Sequence, residues 1–199
     1  MTSTNTGKTR RMAGLSILTA LVVVLQVVAT FVKIGAFPVT LTLVPIVIGG
    51  ALYGRKAGAW LGGVFGFVVM VMCITNGDPG GAILWNANPL LCGALCMVKG
   101  IAAGWAAACV YRALASRSDT GAVIGAAIIS PIVNTGLFVV GVVLFFQPIL
   151  IDWAGGASNV VNYILFGLAG VNFLIELTLN VLLSSVIERI ISYRVKALA

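Results

Sequence analysis

Lys99 and Glu176 each stand in the middle of a long apolar run, and Lys33 stands near the end of another. An ionisable side chain at a bilayer centre costs about 2.5–3.5 kcal/mol on insertion scales, so it faces a protein interior and marks a site or a pathway. Lys33 is close enough to its helix end to reach the surface. Asn88 precedes Lys99 by about three helical turns and lines the same face. Asn172, Glu176, Asn180, Ser184 and Glu188 recur every four residues as one polar stripe, which must avoid lipid. Ser130 and Asn134 flank Pro131, and Gln26, Thr30 and Lys33 share a face of the first apolar run. The chemistry this set suits is binding, with amides as orienting groups and the Lys99 ammonium as partner for a carboxylate. The alternative is structural: Lys99 and Glu176 pair, and the asparagines bond between helices.

Hydrolytic chemistry is poorly served. There is no histidine, no paired intramembrane aspartate and no Glu-Glu motif to activate water, so the chain does not read as an intramembrane protease or another enzyme. It has no Gly-rich Walker loop and no cofactor motif. Cys73, Cys92, Cys96 and Cys109 all lie inside apolar stretches, which argues against disulfides or an aqueous zinc site. Cys92 and Cys96 are spaced as helical metal ligands, but two thiols alone are a weak signal, and no metal is expected.

The elements that must position these residues are membrane helices. Of 199 residues, 60% are hydrophobic and 9% charged, against about 25% charged in soluble domains. A span needs roughly 20 apolar residues, and charges and turn residues divide the chain into six, near 12–33, 37–54, 57–76, 88–112, 121–148 and 161–189. The run from Met12 is longer than a signal-peptide core of about 7–15 residues and is kept as the first span. The second segment holds Pro38 and Pro45, which predicts a kinked helix. The expected fold is an all-α bundle of six transmembrane helices in a single membrane domain, 1–199.

Lys8, Arg10, Arg11, Arg55, Lys56, Arg112, Arg117, Arg189, Arg194 and Lys196, ten of the twelve basic residues, then fall on one side. The positive-inside rule puts that side, with both termini, in the cytoplasm. The net charge of +7 is accounted for by topology and anionic lipid, without nucleic acid. Two outer segments, 76–89 with Trp85 and 148–162 with Trp153, carry glycines and amides and suit mobile lids. The tryptophans equally suit an interfacial belt.

Small residues recur every four positions in two neighbouring spans: Gly54, Gly58, Gly62 and Gly66, then Cys92, Cys96, Gly100, Gly104 and Ala108. Each row makes a groove that another backbone can enter.

The run from Phe37 to Gly66, with PIVIGGALYGRKAGAWLG at its centre, resembles the second and third helices of the S components of energy-coupling factor (ECF) transporters, prokaryotic vitamin importers. Six helices, the length, the basic N-terminal tail and the long first and third outer connections extend the resemblance over nearly the whole chain. It implies a multi-pass protein of the prokaryotic plasma membrane that binds a vitamin at its outer face. Delivery would require a transmembrane scaffold protein and a pair of ATPase subunits. In the family a small-residue motif on the first helix meets the scaffold, and here Ser16 and Ala20 occupy that place. The second and third helices look most like riboflavin- and pantothenate-type members, while Pro38-Val-Thr-Leu41 is faintly similar to biotin-type ones. The expected substrate contacts are Lys99, Asn134, Asn172, Glu176, Trp85 and Asn88. The competing reading is a stand-alone ion- or proton-coupled carrier with Glu176 as the titrating group.

Overall fold

The computed structural model describes residues 3–31, 33–34, 37–38, 41–168 and 170–196, and leaves the side chains at 3–6, 33–34, 37–38, 171–172 and 192–196 outside the description. The chain is helical almost throughout. Among the described residues, five stretches are long and apolar enough to cross a membrane: Gly7–Ala29, Arg55–Ile74, Pro89–Leu114, Asp119–Phe145 and Ala157–Leu182. The helices that carry the first four are α1 (Ser3–Ala29), α3 (Arg55–Ile74), α5 (Pro89–Leu114) and α6 (Asp119–Phe145).

The second expected segment, 37–54, is built differently. Lys33–Ile34 (β1) pairs antiparallel with Phe37–Pro38 (β2), with Lys33 opposite Pro38 and Ile34 opposite Phe37. Helix α2 begins only at Leu43 and ends at Tyr53, 11 residues in all. A late start places Pro45 in the first turn, where its missing N–H breaks no helical bond, so no kink is needed. The cost is length, because 11 residues rise only about 16 Å. Gly54, at φ 88°, then takes a left-handed turn that favours glycine, and α3 follows at once.

Helices α3 and α5 form the frame. A Cβ on Gly58 would lie 3.0 Å from the carbonyl carbon of Gly104, one on Gly62 2.7 Å from that of Gly100, and one on Gly66 3.1 Å from that of Cys96. The two glycine rows therefore face each other, antiparallel, with main chain on main chain. Helix α6 packs along the other side of α5, and α1 and α2 against α3.

The outer segments expected as mobile lids are largely helical. Helix α4 (Pro79–Ala87) is started by Asp78, whose Oδ1 accepts the Gly81 N–H at 3.0 Å, with Pro79 at the first position. Both are standard initiating signals. Helix α7 (Gln147–Trp153) likewise begins with a proline in its first turn. The last span is irregular: a turn at Ala157–Asn159, α8 (Val160–Asn162), a π-helical stretch at Tyr163–Leu168, α9 (Gly170–Leu182) and, after a break at Leu183, α10 (Ser184–Lys196).

One pole of the bundle gathers the ends that carry basic residues. Arg11 Nη2 donates to Tyr53 O at 3.0 Å, tying the start of α1 to the end of α2. Thr120 Oγ1 donates to Glu188 Oε1 at 2.7 Å, tying the start of α6 to α10. The opposite pole carries α4 and α7.

Candidate functional site

Buried polar side chains lie where α6 and α9 (Gly170–Leu182) pack together, and α5 brings Lys99 against α6. On α6, Ser130 and Asn134 lie one turn apart, either side of Pro131, and all three are buried. The proline removes one helical N–H and frees the carbonyl a turn earlier, so this part of α6 is polar in its backbone as well as its side chains. One further turn along stands Phe138, and Lys99 Nζ from α5 lies over its ring, 4.7 Å from the centroid. A cation over a ring face is favourable, and more so away from water. Lys99 thus reaches α6 one turn beyond Asn134.

Helix α9 packs against α6 and supplies Glu176 and Asn180, with Ser184 at the start of α10; all three are buried. Asn180 Nδ2 donates to the Glu176 carbonyl at 2.8 Å, which turns the rest of the amide away from its own helix. Ser130 Oγ, Asn134 Oδ1 and Asn180 Oδ1 are fully buried and have no hydrogen-bond partner among the described residues. Such atoms are few in native proteins, and each left dry costs about 1–3 kcal/mol. Three of them, on two helices packed against each other, give an interior with hydrogen-bonding capacity that is unused among the described residues. Asn172 belongs to the backbone of α9, but its side chain lies outside the described residues.

The remaining expected contacts sit apart from this interior. Asn88 is exposed; its N–H closes α4 on Leu84 O at 3.0 Å while its Oδ1 accepts the Leu91 N–H at 3.1 Å and opens α5. That is a capping role, which the amide-plus-proline pattern of Asn88-Pro89 signals in any sequence. Trp85 is half-buried on α4 against the apolar core and Trp153 lies beside Tyr163, 6.4 Å between ring centroids. Both rings face protein.

Sequence reasoning passed over two features. Thr42 Oγ1 donates to Gln26 Oε1 at 3.0 Å in a fully buried pair joining α1 to the start of α2. Gln26 was legible as polar in an apolar helix, whereas Thr42 looked like part of a longer helix. The second is the meeting of Cys73 with Cys92 and Cys96, whose thiols lie within 4.8 Å of one another.

On α1, Ser16 and Ala20 are exposed. They share the helix with Met12, Ile17, Leu21, Val24 and Val28, all exposed apolar residues. A helix this apolar with so little of it covered is open to lipid or to another helix.

No curated protein matches the chain. The family model for the ECF transporter substrate-specific component matches residues 10–188. With that match spanning almost the whole of a helical, multi-pass chain, the protein belongs to the substrate-specific components of ECF transporters.

Proposed function

We propose that the chain captures a vitamin or vitamin-like small molecule at the outer face of the prokaryotic plasma membrane, and passes it inward when coupled to a transmembrane scaffold and ATPase subunits. The observation that carries this reading is the set of buried polar atoms with no hydrogen-bond partner among the described residues, Ser130 Oγ, Asn134 Oδ1 and Asn180 Oδ1, on helices that also carry the buried Glu176 and receive Lys99 at Phe138. A binding site needs a few fixed polar groups among apolar walls, and here they project from rigid helices. Lys99 supplies the charge for an acidic ligand, Asn134 and Asn172 orient it, and Glu176 sets the polarity at the far side. Trp85 and Asn88, on and beside α4, shape the entrance.

The bundle is one membrane domain whose termini lie in the cytoplasm, which is supported by the basic residues collected at one pole. The exposed row containing Ser16 and Ala20 is the surface offered to the scaffold, since small side chains allow close helix approach.

Mass spectrometry of small molecules released from the purified chain identifies the ligand, and calorimetry measures its affinity. Reconstitution then separates the readings. Uptake that requires the scaffold and ATPases supports the proposal; concentrative uptake by the chain alone, driven by a proton or ion gradient through Glu176, replaces it with a carrier.

A further inference from the structure

We propose that Cys73, Cys92 and Cys96 form a binding site for one thiophilic divalent cation of the zinc and cadmium class. The site is separate from the polar interior between α6 and α9. Cys73 comes from the last turns of α3 and the other two from the first turns of α5, all three are buried, and their sulfurs lie within 4.8 Å of one another. Metal–thiolate bonds of about 2.3 Å place three sulfurs around one ion roughly 4 Å apart, so the cluster needs only rotamer-scale adjustment. A spacing of four on one helix aims Cys92 and Cys96 at the same point, and the α3–α5 glycine contact holds Cys73 opposite them.

The surroundings suit a cation. The Cys92 thiol donates to the Gly81 carbonyl at 3.8 Å, so the first turn of α4 covers the cluster. Asp78, buried at the start of α4, borders the same point at Gly81 as the Cys73 sulfur. Binding is written as one divalent ion plus three thiols giving one tris-thiolate complex and three protons, which leave to solvent; no oxidant or reductant is needed. The complex carries a single negative charge, and Lys99, three residues beyond Cys96 on α5, is the nearest basic residue along that helix to offset it. Soft thiolate donors select this class of ion over magnesium or calcium. Three small apolar residues would pack the same space without any of these features.

The test uses the reduced, metal-free full chain in detergent, titrated with Cd(II) alone and read by thiolate-to-metal charge-transfer absorption in the ultraviolet. The expected result is saturation at about one ion per chain with release of about three protons per ion. Affinity should fall more than about tenfold in Cys73→Ser, Cys92→Ser and Cys96→Ser and stay unchanged in Cys109→Ser. Because a core substitution can disturb folding, the wild-type chain is also alkylated with and without Cd(II) and mapped by mass spectrometry. Protection of Cys73, Cys92 and Cys96, but not Cys109, supports the site. Absence of a saturable signal, or protection that does not single out these three thiols, overturns it. Neither readout depends on substrate or transport, so the outcome is independent of the proposed uptake function.

Discussion

Replacing Gly62 with alanine adds one methyl group where α3 and α5 touch. The new Cβ would lie 2.7 Å from the carbonyl carbon of Gly100 and 3.3 Å from Ile101 Cα. Carbon atoms pack best at about 3.5–4.0 Å, so the helices must part by roughly 1 Å, and both sides of the contact are main chain that cannot rotate away. A gap of that size forfeits a quarter to a half of each dispersion contact along the seam, and overpacking of this kind costs about 1–3 kcal/mol. Alanine also favours the helix over glycine by up to about 1 kcal/mol. Gly136 calibrates that opposing effect, because a Cβ there has nothing within 4 Å. Gly136→Ala should therefore be neutral or slightly stabilising, and Gly62→Ala should fall below it by about 1–3 kcal/mol. Reversible unfolding in mixed micelles measures both. Equal stability of the two variants would refute the close-contact account of the frame.

Lys99→Met should keep the fold and weaken binding of an acidic ligand by about 1.5–3 kcal/mol, or roughly ten- to a hundredfold, by calorimetry; unchanged affinity would remove Lys99 from the site. Asn134→Leu removes a buried acceptor with no partner among the described residues, so thermal unfolding of the ligand-free chain should be unchanged or later while affinity drops about tenfold; loss of stability without ligand would make Asn134 a structural residue. Tryptophan at Ser16 or Ala20 should block uptake by the reconstituted transporter and leave ligand binding to the isolated chain intact, since a close helix contact tolerates no added volume; equal loss of both would put these residues elsewhere. Single cysteines at Asn86 and Arg117, both exposed, should label from opposite sides of the membrane in a cysteine-free background; labelling from one side would overturn the topology.

The glycine rows were the most legible feature, because a spacing of four with no side chain has one strong physical use in a bilayer. They also carried information that sequence reading did not extract. The contacts pair Gly58 with Gly104, Gly62 with Gly100 and Gly66 with Cys96, an antiparallel register that, continued two turns, brings Cys73 beside the start of α5 and hence near Cys92. The polar stripe of the last span was readable at Glu176, Asn180 and Ser184, which are buried, because four-residue spacing survives the break at Leu183. The π-helical stretch before it was not, since no proline or glycine pair announces a local gain of one residue per turn. In the second segment the helix begins at Leu43 and not near Phe37: Phe37 to Tyr53 carries no charge, and hydropathy alone does not distinguish a continuous helix from a two-residue ladder followed by a short one. Asn88 was read for its polarity, whereas its neighbour Pro89 was the stronger clue to a cap.

Asn88 closes one helix with its main chain and opens the next with its side chain, so α4 and α5 share a joint that leaves no slack for either to slide. The other end of α4 is tied as well, because Asp78 N donates to Met72 O at 3.2 Å across the turn from α3. With both ends fastened to the two frame helices, α4 follows the seam between α3 and α5 as a rung follows its two rails.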